Sequence, residues 1–249
     1  MIFNYLKQED LKMRLLFSAI ALFLMGAAPA TTTGEYKTEP IQVSSSMTVV
    51  EKKVRDSAVK VLSHTGHGSG GLIRYKDMQL VLTAQHVADE GLGSTYLIKT
   101  LQEDKLGVLI YSDPLHDIAV IYLPEKFKHT KGIKWNPTQN LTEVGTSITY
   151  SGFPSWHNLM TYRGYVAGYE THPEAGVQML LDSYGWFGCS GSLVYNKDGE
   201  MIGILWGIDI QRGLPQENMI WIAPIQNLNI DLAIKTLCDQ IGEKPRACR

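Results

Sequence analysis

Short apolar stretches separated by polar and glycine-rich breaks recur along most of this chain. Those at 58–63, 71–75, 80–84, 96–99, 106–111 and 118–123 are rich in Val, Ile, Leu and Tyr, which suit a pleated, half-buried surface. A connection over 124–142 follows, and its Lys126, Lys128, Lys131 and Lys134 read as a solvated loop rather than a binding patch. A second set then runs 147–151, 159–169, 177–182, 192–195, 200–207 and 219–224. Asn196-Lys197-Asp198-Gly199, between the fourth and fifth of these, carries the Asp-Gly signature of a tight hairpin. Only near the end does the spacing change. Leu228, Ile230, Leu232, Ile234 and Leu237 suit a helix over 225–241. The pattern predicts an all-β chain, two sets of six strands followed by a C-terminal helix.

The N-terminus is different. Residues 15–28 are mostly apolar, too few for the ~20 that a bilayer span needs. Lys12 and Arg14 precede them and Ala28-Pro29-Ala30 follows, the order of a secretory signal over 1–30 with cleavage near Thr31. Glu9 and Asp10 make an unusual n-region, so Met13 as the start, or retention as an anchor, stay open. Residues 31–46 are rich in Thr, Ser and Pro without periodicity, a flexible lead-in. A net charge of −2 with 44% hydrophobic residues gives no reason to expect a nucleic-acid partner. Of the three cysteines, Cys238 and Cys248 are close enough to bridge in an exported chain, which leaves Cys189 a free thiol. His64, His67, His129, His157 and His172 lack metal-ligand spacing and read as surface residues, so no metal and no cofactor are expected. Asn140-Leu141-Thr142 is a glycosylation sequon, meaningful only in a eukaryotic secretory pathway.

Three residues carry candidate chemistry, in the order His86, Asp117, Ser190. A hydroxyl nucleophile is weak near neutral pH and needs an imidazole to take its proton. The imidazole in turn needs a carboxylate to fix its tautomer. His86 ends the apolar run Leu82-Thr83-Ala84-Gln85-His86-Val87; Asp117 opens Asp117-Ile118-Ala119-Val120 just after the turn Asp113-Pro114-Leu115-His116. Ser190 lies in Gly188-Cys189-Ser190-Gly191-Ser192, where a glycine two residues before the nucleophile lets two backbone N–H groups, those of Gly188 and Ser190, point into one oxyanion hole. His116 and Asp113 read as turn residues.

These motifs, with Gly66-His67-Gly68-Ser69-Gly70-Gly71 upstream, strongly resemble the chymotrypsin-fold (trypsin-like and HtrA-type) serine proteases over about 65–224. The chain order is the one that separates this family from subtilisins and α/β-hydrolases. The resemblance implies two six-stranded antiparallel β-barrels, the first over about 47–124 and the second over about 143–224, within a peptidase domain of 47–241. It implies a serine endopeptidase acting through an acyl-enzyme on protein or peptide substrates; the N-terminal signal makes it secreted or periplasmic, with no stable membrane span expected. No sequence remains for the PDZ domain that HtrA-type enzymes usually append.

Departures narrow the expectations. Cys189 stands where enzymes activated by cleavage carry an Asp, so that activation route is not expected. Cys189 as nucleophile is disfavoured because Phe187, not a glycine, lies two residues before it. An esterase is disfavoured by Ser192 in the Gly-x-Ser-x-Gly frame and by the triad order. The alternative from another class is a silent, protease-like binding module. For specificity, the resemblance places Tyr184 at the floor of the primary pocket and Leu205, Trp206 and Gly207 along one wall. With no carboxylate there, an apolar or small P1 residue is expected; a two-residue slip would instead put Asp182 at the floor.

Overall fold

Helix α1 (Val49–Ser57) opens the part of the chain that the computed structural model describes, residues 43–64, 66–240 and 248. The expected signal segment and most of the lead-in lie outside those residues. The Glu51 N–H donates to Thr48 Oγ1 (3.1 Å) and the Thr48 N–H to Glu51 Oε2 (2.6 Å), a reciprocal cap that satisfies two otherwise orphaned donors. Glu51 also pairs with Arg163, which holds the carboxyl below its ordinary pKa. Arg55 reaches the Leu159 carbonyl and Thr161 Oγ1 at 3.1 and 2.9 Å. A helix leading into the first barrel is thereby fastened to the second.

The first barrel comprises β1 (Ala58–Leu62), β2 (His67–Tyr75), β3 (Met78–Thr83), β4 (Thr95–Lys99), β5 (Asp104–Asp113) and β6 (Ile118–Tyr122). They are ordered β1-β4-β5-β6-β3-β2, and antiparallel β1–β2 pairing closes the ring. A two-residue strand from the connection, β7 (Ile133–Lys134), lies parallel to β2. The second barrel closes as β10-β13-β12-β11-β8-β9, from β8 (Ser147–Gly152), β9 (Met160–His172), β10 (Gly176–Asp182), β11 (Leu193–Asn196), β12 (Met201–Gln211) and β13 (Leu214–Pro224). The expected all-β architecture of two six-stranded barrels is therefore present.

Helix α2 (Ile230–Gln240) is shorter than the expected 225–241 because residues 225–227 form a separate 3₁₀ turn. Its Ile230, Ala233, Ile234 and Leu237 join a buried cluster with Ile73, Leu80 and Val120 of the first barrel and Leu193, Tyr195 and Ile204 of the second. Apolar burial at about 25 cal/mol per Å² makes this shared core the adhesive between the barrels. Each barrel has its own interior besides, around Val81, Tyr96 and Ile121 in one and Tyr150, Leu181 and Ile222 in the other. Cys238 is bridged to Cys248; Cys189 is free and buried.

Candidate active site

The end of β3 carries the chain through Ala84 into a single 3₁₀ turn, Gln85–Val87, which presents His86 at the mouth of the first barrel. Asp117 stands immediately before β6 with φ 56°, a left-handed backbone uncommon for a residue with a side chain. That conformation turns the carboxylate back onto the histidine. Its Oδ2 lies 2.6 Å from His86 Nδ1 and its Oδ1 accepts the His86 backbone N–H at 2.8 Å. Both carboxylate oxygens are thus spent on one residue, fixing the ring and assigning the Nδ1 proton. The His86 ring is half exposed at 49%, while Asp117 is sheltered at 20%. Burial works against the charged ring, but the Asp117 hydrogen bond and charge, with Asp89, outweigh it and raise the imidazole pKa.

Ser190 comes from the other barrel, in the turn between β10 and β11. The Ser69 N–H donates to the Ser190 carbonyl (2.7 Å), the Ser69 hydroxyl to the Gly188 carbonyl (2.6 Å), and the Gly191 N–H to the Leu205 carbonyl (2.6 Å). A Cβ on Gly68 would touch both Val87 and the Ser190 carbonyl, and one on Gly191 would meet the Ala84 N–H, so the turn is seated against the segment that carries His86. The Ser190 hydroxyl donates to the Trp206 carbonyl at 3.4 Å. Among the described residues neither the Gly188 nor the Ser190 N–H has a protein acceptor, which is the condition for receiving an oxyanion.

Gly191 has φ 92°, and a side chain there would collide with the Ser69 carbonyl and the Thr83 hydroxyl. Gly191→Ala is therefore expected to cost about 3 kcal/mol from left-handed strain and overpacking together. In a thermal melt this appears as a fall of about 10 °C in Tm; an unchanged melt would contradict the packing described.

Cys189 is fully buried, and burial pushes its thiol up to about 11, so it is neither reachable nor ionised near neutral pH. Ser192 is also fully buried; a Cβ on Gly152 would overlap its hydroxyl, so Gly152 makes the room Ser192 needs. His116 and Asp113 pair within their own turn at 2.7 Å.

The specificity residues divide. Trp206 is held by Gln178, to which its Nε1–H donates at 3.1 Å, and Gly207 opens onto free space. Leu205 departs from the expectation: it is 1% exposed and belongs to the second-barrel core, because it alternates with Trp206 along β12 and points inward. Its backbone is engaged as well, the N–H by the Ser192 carbonyl and the carbonyl by the Gly191 N–H. Tyr184 is 39% exposed, stacks on Tyr162 at 5.2 Å, and takes the Tyr150 hydroxyl on its carbonyl. Asp182 follows the inward-facing Leu181 on β10, and its carboxylate accepts the Tyr165 hydroxyl. His67 departs from its surface assignment, since it is half-buried against the Phe153 carbonyl. Sequence reading also missed Ser69 as the link between the barrels; the glycines around it were the only local hint. Among the described residues no cluster of three or more His, Cys, Asp or Glu suits a metal, and no helix is long and apolar enough to cross a membrane.

A family model described as the trypsin-like peptidase domain matches residues 68–204. The pro-apoptotic serine protease NMA111 of Scheffersomyces stipitis is 27% identical over 141 residues, covering 51% of this chain and 14% of that protein; its namesake in Yarrowia lipolytica is 26% identical over 150 residues. The chain thus spans about one-seventh of the length of the curated relatives it matches. Among solved structures, an inactive form of Rv3671c from M. tuberculosis superposes with a TM-score of 0.61 at 16% identity, covering 78% of this chain and 93% of that one. The serine endoprotease of Yersinia pestis gives 0.58 at 19% identity, covering 74% and 65%.

Proposed function

The chain belongs to the trypsin-like peptidase family, and from that premise we propose that it is a serine endopeptidase in which Ser190 attacks the peptide carbonyl. His86 takes the Ser190 proton and returns it to the leaving amine, and Asp117 orients the imidazole and stabilises the imidazolium. The Gly188 and Ser190 N–H groups receive the oxyanion. The observation that carries this reading is the His86–Asp117 pair, closed by two hydrogen bonds at the seam where the Ser190 turn is seated. Reaction with a fluorophosphonate probe tests it: a covalent adduct on Ser190 is expected. Absence of an adduct on folded protein would favour a silent binding module.

His86 must be neutral to accept a proton, and its pKa is raised. Activity is therefore present at higher pH and lost as pH falls through a midpoint above the ordinary imidazole value of about 6.5. A kcat/KM profile with its acid limb well below that value would contradict the assignment of His86 as base.

For the primary pocket we propose apolar or small P1 residues. A Lys or Arg side chain needs a carboxylate, and Asp182 is engaged by Tyr165 on the face opposite Leu181. A peptide-library profile should lack Lys and Arg at P1 and be unmoved by Asp182→Ala; a basic profile that this substitution abolishes would reverse the assignment. Export to a secreted or periplasmic location completes the proposal, supported by the basic, apolar and small-residue order over 12–30.

A further inference from the structure

His67 begins β2, half-buried, with Nε2 3.2 Å from the Phe153 carbonyl. A carbonyl only accepts, so Nε2 carries the proton and donates. Trp156 lies against the ring, with ring centroids 5.3 Å apart. Loop 153–156 is thereby pinned at both ends of its turn.

That loop touches the candidate oxyanion turn directly. Ser155 has φ 48°, a strained conformation for a residue other than glycine, and its N–H donates to the Phe187 carbonyl at 2.6 Å. The Phe187–Gly188 peptide is planar and trans, so its N–H points opposite to its carbonyl. Anchoring the carbonyl on Ser155 turns the Gly188 N–H to the other side of the peptide. A Cβ on Gly188 would meet the Phe153 carbonyl, the Ser155 N–H and His67 Nε2, so loop and histidine form the outer wall of the turn. Backbone strain that persists only because its surroundings over-determine it is a mark of functional segments.

We propose that His67 is a positioning residue for the oxyanion hole: through loop 153–156 it fixes the Phe187–Gly188 peptide with the Gly188 N–H facing the substrate oxygen. The inference rests on the serine-protease reading above. Burial, and then Lys60 on the neighbouring strand, lower the imidazole pKa, so the ring holds the loop in its neutral form. A single oxyanion donor is worth about 10²–10³-fold in kcat, and loosening one gives a fraction of that.

The test compares His67→Phe, which keeps a ring against Trp156 but loses the donor, with His67→Gln, which keeps an N–H donor. Peptide hydrolysis and fluorophosphonate labelling are measured on both and on the unaltered protein, with thermal melts alongside. The expected result is a fall of about 10–100-fold in kcat for His67→Phe, KM within about two-fold, labelling slowed in proportion, and recovery of most of the rate in His67→Gln. Unchanged kcat in His67→Phe, or equal losses in both variants tracking a lowered Tm, would overturn the positioning role and leave the protease reading intact. An unaltered protein that neither hydrolyses peptide nor labels would overturn both.

Discussion

Ser190→Ala is expected to lower kcat for peptide hydrolysis by about 10⁶-fold, roughly 8 kcal/mol of transition-state stabilisation, while leaving the melt unchanged. The stability half follows from the contacts. The turn is held by backbone bonds from Ser69 to the Ser190 carbonyl and from Gly191 to the Leu205 carbonyl, and the hydroxyl adds only a long bond to Trp206. The catalytic half follows from covalent chemistry, because without the hydroxyl no acyl-enzyme forms. The Gly188 and Ser190 N–H groups remain, so a residual acceleration of about 10³–10⁴ over water should survive. Retention of most activity would remove Ser190 from its role, and burial of Cys189 leaves no neighbouring nucleophile to replace it.

Asp117→Asn should cost about 10⁴-fold in kcat at unchanged circular dichroism. Asn is isosteric and tolerates the left-handed backbone at φ 56°, so the fold persists. An amide has one accepting oxygen where the carboxylate has two. If that oxygen keeps the His86 N–H, the NH₂ group faces Nδ1 and donates to it. The proton then sits on Nε2, which can no longer accept one from Ser190. The imidazole also loses the charge that raises its pKa, so the acid limb should move down as the plateau falls. A loss of less than about ten-fold would show that Asp117 does not orient the base.

Much of this was legible in the sequence because the signals are local. His86, Asp117 and Ser190 each sit at the boundary of an apolar run, and a strand ending or beginning there delivers the side chain to the rim of a barrel. What escaped was non-local or locally ambiguous. Ser69 meets Gly188 across 119 positions, and no window along the chain contains both. Helix α1 is nine residues long, too short to show a sustained 3.6-residue period, and its Val49, Val50 and Val54 are β-branched residues of lowered helix propensity. Its clearest helical mark was the spacing of Thr48 and Glu51. β12 and β13 run to Gln211 and from Leu214, beyond the expected strands, because exposed polar residues such as Gln211 and Glu217 carry the hairpin past the core.

The division of the site between the two barrels has a consequence in time. His86 and Asp117 are made first, on a barrel that can close on its own pairings, and Ser190 follows with β10 to β13. Because domains form in order as a chain emerges from the ribosome, the base would wait without its nucleophile until the buried cluster joining Leu80 to Leu193 and Ile234 has formed. On the proposed reading, a nascent chain is harmless to itself and its neighbours for as long as it is unfinished, and the last hydrophobic closure is also what arms it.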